Sequence, residues 1–224
     1  MKIVCIGDSL TYGFGIGRNK TWPYLSEKKL GIEIINEGIS GDTSGGMVSR
    51  FNNSVLSQKP DVVLIMGGTN DLIAGADVGI VKANIMSMVH QSLNKFIEPI
   101  VGIPTKIDLI NVRDDWAAFT DYKRVSMQLE EYREWINKFS KTFNIKIIDF
   151  YLEIENMCND KINELYIDGL HLNEQGQIVM ADIFCEAIKK VKMTKQKYSN
   201  WTIDMNSFKS LLYVNNFWRT KCYT

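Results

Sequence analysis

Short apolar runs alternate with longer segments of helical period along this chain. Ile3-Val4-Cys5-Ile6, Ile32-Glu33-Ile34-Ile35, Val62-Val63-Leu64-Ile65-Met66, Pro99 to Ile103 and Ile145-Lys146-Ile147-Ile148 read as strands. The third is apolar throughout, the pattern of a strand covered on both faces. Between them, Trp22 to Leu30 predicts a short helix. Thr43 or Ser44 caps a helix to about Ser57, and Asp77 caps another through Phe96. The clearest period is Val125, Leu129, Tyr132, Ile136, Phe139 and Phe143, whose steps of four and three fall on one stripe. Asn173 caps the last helix, in which Met180, Phe184, Ala187 and Val191 keep the same spacing. Strand-helix alternation of this kind predicts an α/β fold with a mostly parallel sheet and helices on both faces. In such sheets the functional site gathers at the carboxyl ends of the strands.

Two segments break the alternation. Pro104 to Thr120 is long for a connection, as lids and binding loops are, and it carries Trp116 and Phe119 as candidate substrate contacts. Packing of a short helix explains those two aromatics equally well. The stretch from Lys195 onward is rich in aromatics and follows a helix that completes the alternating pattern. The expectation is one domain over 1–194 and a C-terminal extension over 195–224, a candidate surface for homo-oligomer formation.

Lys+Arg and Asp+Glu are both 26, so no basic field recommends a nucleic-acid partner. The four cysteines are scattered without a CxxC pair or a nearby histidine, which predicts neither a zinc site nor a disulfide framework. No apolar run has the length of a membrane span, and structure begins at Ile3 with no leader pattern before it, so the expected location is cytoplasmic.

The chain opens "MKIVCIGDSLTYGFGIG", a strand that runs into Ser9 and a glycine-rich loop. Gly13, Gly15 and Gly17 invite a nucleotide reading. The dinucleotide fingerprint needs glycine where Arg18 stands, and the phosphate loop needs glycine where Asn19 stands. Nucleotide binding is therefore disfavoured. A serine hydroxyl, by contrast, becomes a nucleophile once a base takes its proton. Only His90 and His171 are available. His90 falls inside a predicted helix. His171 follows Asp168 by three residues in "YIDGLHLNEQG", before the last helix. Such a turn can bring the carboxylate to imidazole Nδ1 and leave Nε2 facing a serine. Developing negative charge on an attacked carbonyl then requires hydrogen-bond donors. Candidates are the Ser9 amide, the Gly41 amide in "NEGISGDTSGG" and the Asn70 side chain in "IMGGTNDL". Each piece alone has an ordinary reading as a turn or cap. Together they all fall at predicted strand exits. Asp8, Asp42 and Asp71 beside them are assigned to hydrogen bonds within those loops, with no metal.

The blocks "GDSLTYG", "ISGDTS", "GGTND" and "DGLHLNEQG", in this order, resemble the GDSL, or SGNH, hydrolases, and the likeness runs from residue 1 to about 190. The resemblance implies a three-layer α/β/α sandwich with a five-stranded parallel, flavodoxin-like sheet. It implies Ser9 as nucleophile with Asp168 and His171, an oxyanion hole of Ser9, Gly41 and Asn70, and no cofactor. The G-x-S-x-G elbow of the common α/β-hydrolases is missing, in agreement with this family. The expected activity is hydrolysis of small or medium acyl esters. Carbohydrate O-deacetylase, acyl-thioesterase and lysophospholipase activities are alternatives at the same site, and a silent binding module is a third class that the full set of residue types argues against.

Overall fold

The computed structural model describes residues 1–158 and 163–199. By contact the chain divides into two units, Met1–Cys185 and Glu186–Thr224. In the first, β1 (Lys2–Gly7) lies between β2 (Glu33–Gly38) and β3 (Val62–Met66). β4 (Glu98–Ile103) and β5 (Lys146–Asp149) extend the sheet in the order β2-β1-β3-β4-β5. Every pairing is parallel. Ile3 to Ile6 and all of β3 are fully buried, as their continuous apolar runs require. β2 continues past its apolar run because its register with β1 carries on, Ile6 facing Glu37 and Gly7 facing Gly38.

Alternation along β1 separates two cores. Val4 and Ile6 join a cluster with Val63, Ile65 and Val101. The cluster is covered by α3 (Ser44–Ser54), α5 (Val78–Asn94) and α7 (Tyr122–Phe143). On α7 the predicted stripe is buried at Val125, Leu129, Tyr132, Ile136 and Phe139, whereas Phe143 is half exposed and meets His90 edge-on at 5.8 Å. The other core centres on Trp22 of α2 (Trp22–Leu30), whose ring lies 5.9 Å from Phe150 of α8 (Phe150–Cys158) and 5.2 Å from Phe184 of α9 (Glu174–Ser199). Helices therefore cover both sheet faces, the three-layer α/β/α arrangement expected from the sequence.

Local capping sets the helix starts. Thr43 accepts the Gly46 amide at the head of α3, Asp77 accepts Gly79 at the head of α5, and Asn173 accepts Gly176 at the head of α9. α8 follows β5 with no intervening turn residue, and its first turn is anchored by Asp149, which accepts the Leu152 amide. Three short helices sit at the strand exits or in the long connection: α1 (Ser9–Tyr12), α4 (Thr69–Ile73) and α6 (Asp114–Ala117). α9 runs beyond residue 194, and the aromatic residues from Trp201 onward lie outside the described residues, as does any oligomer contact they would make. No helix among the described residues is long and apolar enough to cross a membrane.

Candidate active site

Ser9 is the first residue after the turn that ends β1. Asp8 caps α1 by accepting the Leu10 amide at 2.9 Å, and the helix closes after one turn where Gly13 donates to the Ser9 carbonyl at 3.0 Å. This fixes the Ser9 backbone at the exit of β1, with its side chain nearly buried. Asp8 is buried with it, and removal from water raises its carboxyl to about 7. The Leu10 hydrogen bond and nearby His171 act against that rise, while Asp42 and Asp71 add to it.

The partner loop is pinned by its own backbone. Tyr166 and Leu172 form an antiparallel bridge, and the Ile167 amide donates to the His171 carbonyl at 2.8 Å. Within this loop Asp168 Oδ1 accepts the amides of Leu170 (3.1 Å) and His171 (2.8 Å), and Oδ2 accepts His171 Nδ1 at 2.8 Å. Burial opposes charge on this carboxyl, but the hydrogen bonds from the His171 ring and amide outweigh it and hold Asp168 below the usual carboxylate range. An ionised carboxylate only accepts, so Nδ1 carries the proton and Nε2 is left as an acceptor. Nε2 lies 2.9 Å from Ser9 Oγ. Ser9, His171 and Asp168, separated in sequence, thus form one hydrogen-bonded row.

The two remaining loops are fastened to the same strand end. Arg50 on α3 donates to the Asp42 carboxylate at 2.8 Å and to the Gly7 carbonyl at 3.0 Å, which ties the loop after β2 to the end of β1. Asp71 on α4 accepts the Ser44 amide (2.8 Å) and hydroxyl (2.6 Å), and Asn84 donates to the same hydroxyl at 2.9 Å. Asn70 donates one side-chain N–H to the Asp42 carbonyl at 2.9 Å, which orients its amide and leaves its second N–H available. A Cβ built on Gly41 would meet no atom within 4 Å, so this residue borders open space. Asp8, Asp42 and Asp71 all bond within the strand-end loops, as the sequence suggests.

These parts enclose a cleft of about 280 Å³ lined by Ser9, Gly41, Asn70 and His171 together with Ser40, Phe14, Ile73, Trp116, Phe119, Tyr122 and Leu170. Both aromatics proposed from the long connection are present in its wall. Trp116 meets the His171 ring edge-to-face at 5.7 Å and carries the Arg113 guanidinium 4.8 Å from its own ring centre. Phe119 is largely exposed. Phe14, Ile73 and Tyr122 were not legible as wall residues, because nothing in a single apolar position says which loop it will face. For Phe14 the available signal was its place between two glycines. His90 is remote from this group, on α5. Among the described residues no cluster of three or more His, Cys, Asp or Glu side chains is arranged to hold a metal ion.

Comparison with known proteins gives the family of the chain. Residues 5–178 match the model of the GDSL-like lipase/acylhydrolase family. An arylesterase from Vibrio mimicus is 33% identical over 194 residues, covering 84% of this chain and 88% of that protein. An acetylxylan esterase from Geobacillus stearothermophilus is 43% identical over 170 residues, covering 71% of this chain and 74% of the relative. Among solved structures, a member of the lipolytic G-D-S-L family from Veillonella parvula superposes with a TM-score of 0.70 at 25% identity, covering 83% of this chain and 97% of that one. The chain therefore belongs to the GDSL-like lipase/acylhydrolase family and is a hydrolase of the esterase/acylhydrolase kind.

Proposed function

We propose that the protein hydrolyses carboxylic esters of small or medium acyl groups through a covalent acyl-enzyme on Ser9. The observation that carries this reading is the unbroken row from Asp168 Oδ2 to His171 Nδ1 (2.8 Å) and from His171 Nε2 to Ser9 Oγ (2.9 Å). His171 takes the Ser9 proton as Oγ attacks the acyl carbon. Asp168 stabilises the imidazolium that forms and holds its tautomer. The carbonyl oxygen, now negative, is received by the amides of Ser9 and Gly41 and by the free N–H of Asn70. Collapse expels the alkoxide, which leaves with the proton held on His171. Water then gives a proton to His171 as it attacks the acyl carbon, and the second tetrahedral intermediate releases the acid and returns the proton to Ser9 Oγ.

Apolar and aromatic walls around a cleft of about 280 Å³ suit an acyl or aryl group rather than a polymer in full contact. Relatives named for aryl esters, acetylxylan and thioesters mark the neighbouring substrates to be compared. The test is a panel of p-nitrophenyl esters of increasing acyl length, acetylated sugars and acyl-thioesters, with Ser9→Ala as control. Turnover of an ester that vanishes in Ser9→Ala supports the reading. Equal turnover in the control refutes it. A cytoplasmic location accompanies this reading and is tested by cell fractionation.

A further inference from the structure

The glycine-rich loop after α1 has no part in the chemistry described so far, although it failed both nucleotide motifs. Its geometry has one evident product. Gly13 and Gly15 adopt φ of +82° and +75°, a region that side chains other than glycine strain to reach. A Cβ on Gly13 would fall 2.4 Å from the Thr21 side chain, and one on Gly15 would fall 3.0 Å from Ile167. The amides of Gly13 and Phe14 share the Ser9 carbonyl at 3.0 and 3.1 Å. Arg18 clamps the far side, 3.8 Å from the Tyr12 ring centre and bonded to the Tyr12 carbonyl at 3.3 Å. Between these two left-handed turns stands Phe14. Its ring centre lies 4.4 Å from that of His171, at an interplanar angle of 37°.

We propose that this loop serves to lay Phe14 on the His171 imidazole, and that Phe14 is a positioning residue for proton transfer. The inference rests on the reading of His171 as the base that takes the Ser9 proton. On the His171 ring itself Asp168 bonds Nδ1 alone and so restrains one end, and Trp116 meets the ring edge-on at 5.7 Å. Contact with the Phe14 ring limits the remaining rotation that would swing Nε2 away from Oγ. The electronic effect has the same direction. The imidazole is neutral before attack and cationic during it, and an aromatic face attracts a cation more strongly than a neutral ring. That gain appears only as the transition state is approached, so it raises turnover rather than substrate affinity.

Phe14 also borders the cleft, and a wall residue would show a different signature. The experiment compares Phe14→Leu, Phe14→Met and Phe14→Tyr, each checked for cooperative thermal unfolding. It measures kcat and KM on p-nitrophenyl acetate and p-nitrophenyl octanoate, and the rate of Ser9 inactivation by a small ethyl fluorophosphonate. For Phe14→Leu and Phe14→Met we expect kcat to fall about fivefold on both esters, the size of a partly exposed cation–π contact, with KM nearly unchanged. Inactivation by the small phosphonate slows by a similar factor, and Phe14→Tyr restores both rates. A defect confined to KM that grows with acyl length, or failure of Phe14→Tyr to restore the rates, overturns the proposal. Labelling that persists in Ser9→Ala or His171→Ala would instead strike the underlying reading of the row, independently of Phe14.

Discussion

Consider the link between Ser44 and Asp71, which joins the loop bearing Gly41 to the helix bearing Asn70. Asp71 accepts both the amide and the hydroxyl of Ser44, and both residues are buried. Truncating Asp71 to alanine removes two charge-assisted bonds and strands the Ser44 amide without an acceptor. Since a hydrogen bond to a charged group contributes about 1.5–3 kcal/mol and a buried orphan costs about 1–3 kcal/mol, Asp71→Ala should destabilise by about 4 kcal/mol. Ser44→Ala removes only the hydroxyl bond and releases Asn84, for about 2 kcal/mol. In the double variant the shared bond is lost once, so the total should be about 4–5 kcal/mol, leaving a coupling of about 1.5 kcal/mol. Urea unfolding of the four proteins gives these values from the midpoints, provided the slopes agree. The same variants should lose turnover on an ester at temperatures where they remain folded, because Gly41 and Asn70 are no longer held in register. Additivity within about 0.5 kcal/mol would refute the linkage, since independent sites behave that way.

Three further outcomes follow from the site. Ser9→Ala should abolish both ester turnover and fluorophosphonate labelling; a labelled variant would put the nucleophile elsewhere. Asn70→Ala should lower kcat about 10²–10³-fold, the usual loss of an oxyanion donor, with a much smaller effect on unfolding. Normal turnover would remove Asn70 from that role. Asp8 predicts a pH effect of defined sign. Its carboxyl is raised in the folded protein to about 7 from an ordinary 3.8, so between these values the unfolded chain has released a proton that the folded one retains. Asp8 therefore costs the wild type stability as pH rises through that window. The stability of Asp8→Asn relative to wild type should climb from about pH 4 to about pH 7 and then level. A flat difference curve would count against it.

The sheet was legible because β1 and β3 are continuous apolar runs and the intervening helices announce themselves by caps and period. Trp22–Leu30 and Val62–Met66 have the bounds that the sequence predicts. β2 extends to Gly38 because its register with β1, not its own hydrophobicity, sets its length. α8 was hidden because Ile148-Asp149-Phe150 offers no glycine or proline to separate strand from helix. Ser9, Gly41 and Asn70 stood out as candidates because each sits at a strand exit in a short polar motif, and Asp168 and His171 because they share one short turn, which the structure places after α8. Arg50, Ser44 and Phe14 could not be read, because their importance lies in contacts across 43, 27 and more residues that no local pattern encodes.

The reactive oxygen and the ring nitrogen beside it belong to residues 162 positions apart. During synthesis, then, the serine is made before β2 to β5, and all of those strands are made before its base exists. On the proposed mechanism the growing polypeptide is inert toward esters until the loop after α8 has closed onto the end of β1. Hydrolysis would thus report on completion of the fold, and a truncation that removes residue 171 should silence the enzyme unless the missing piece is supplied in trans.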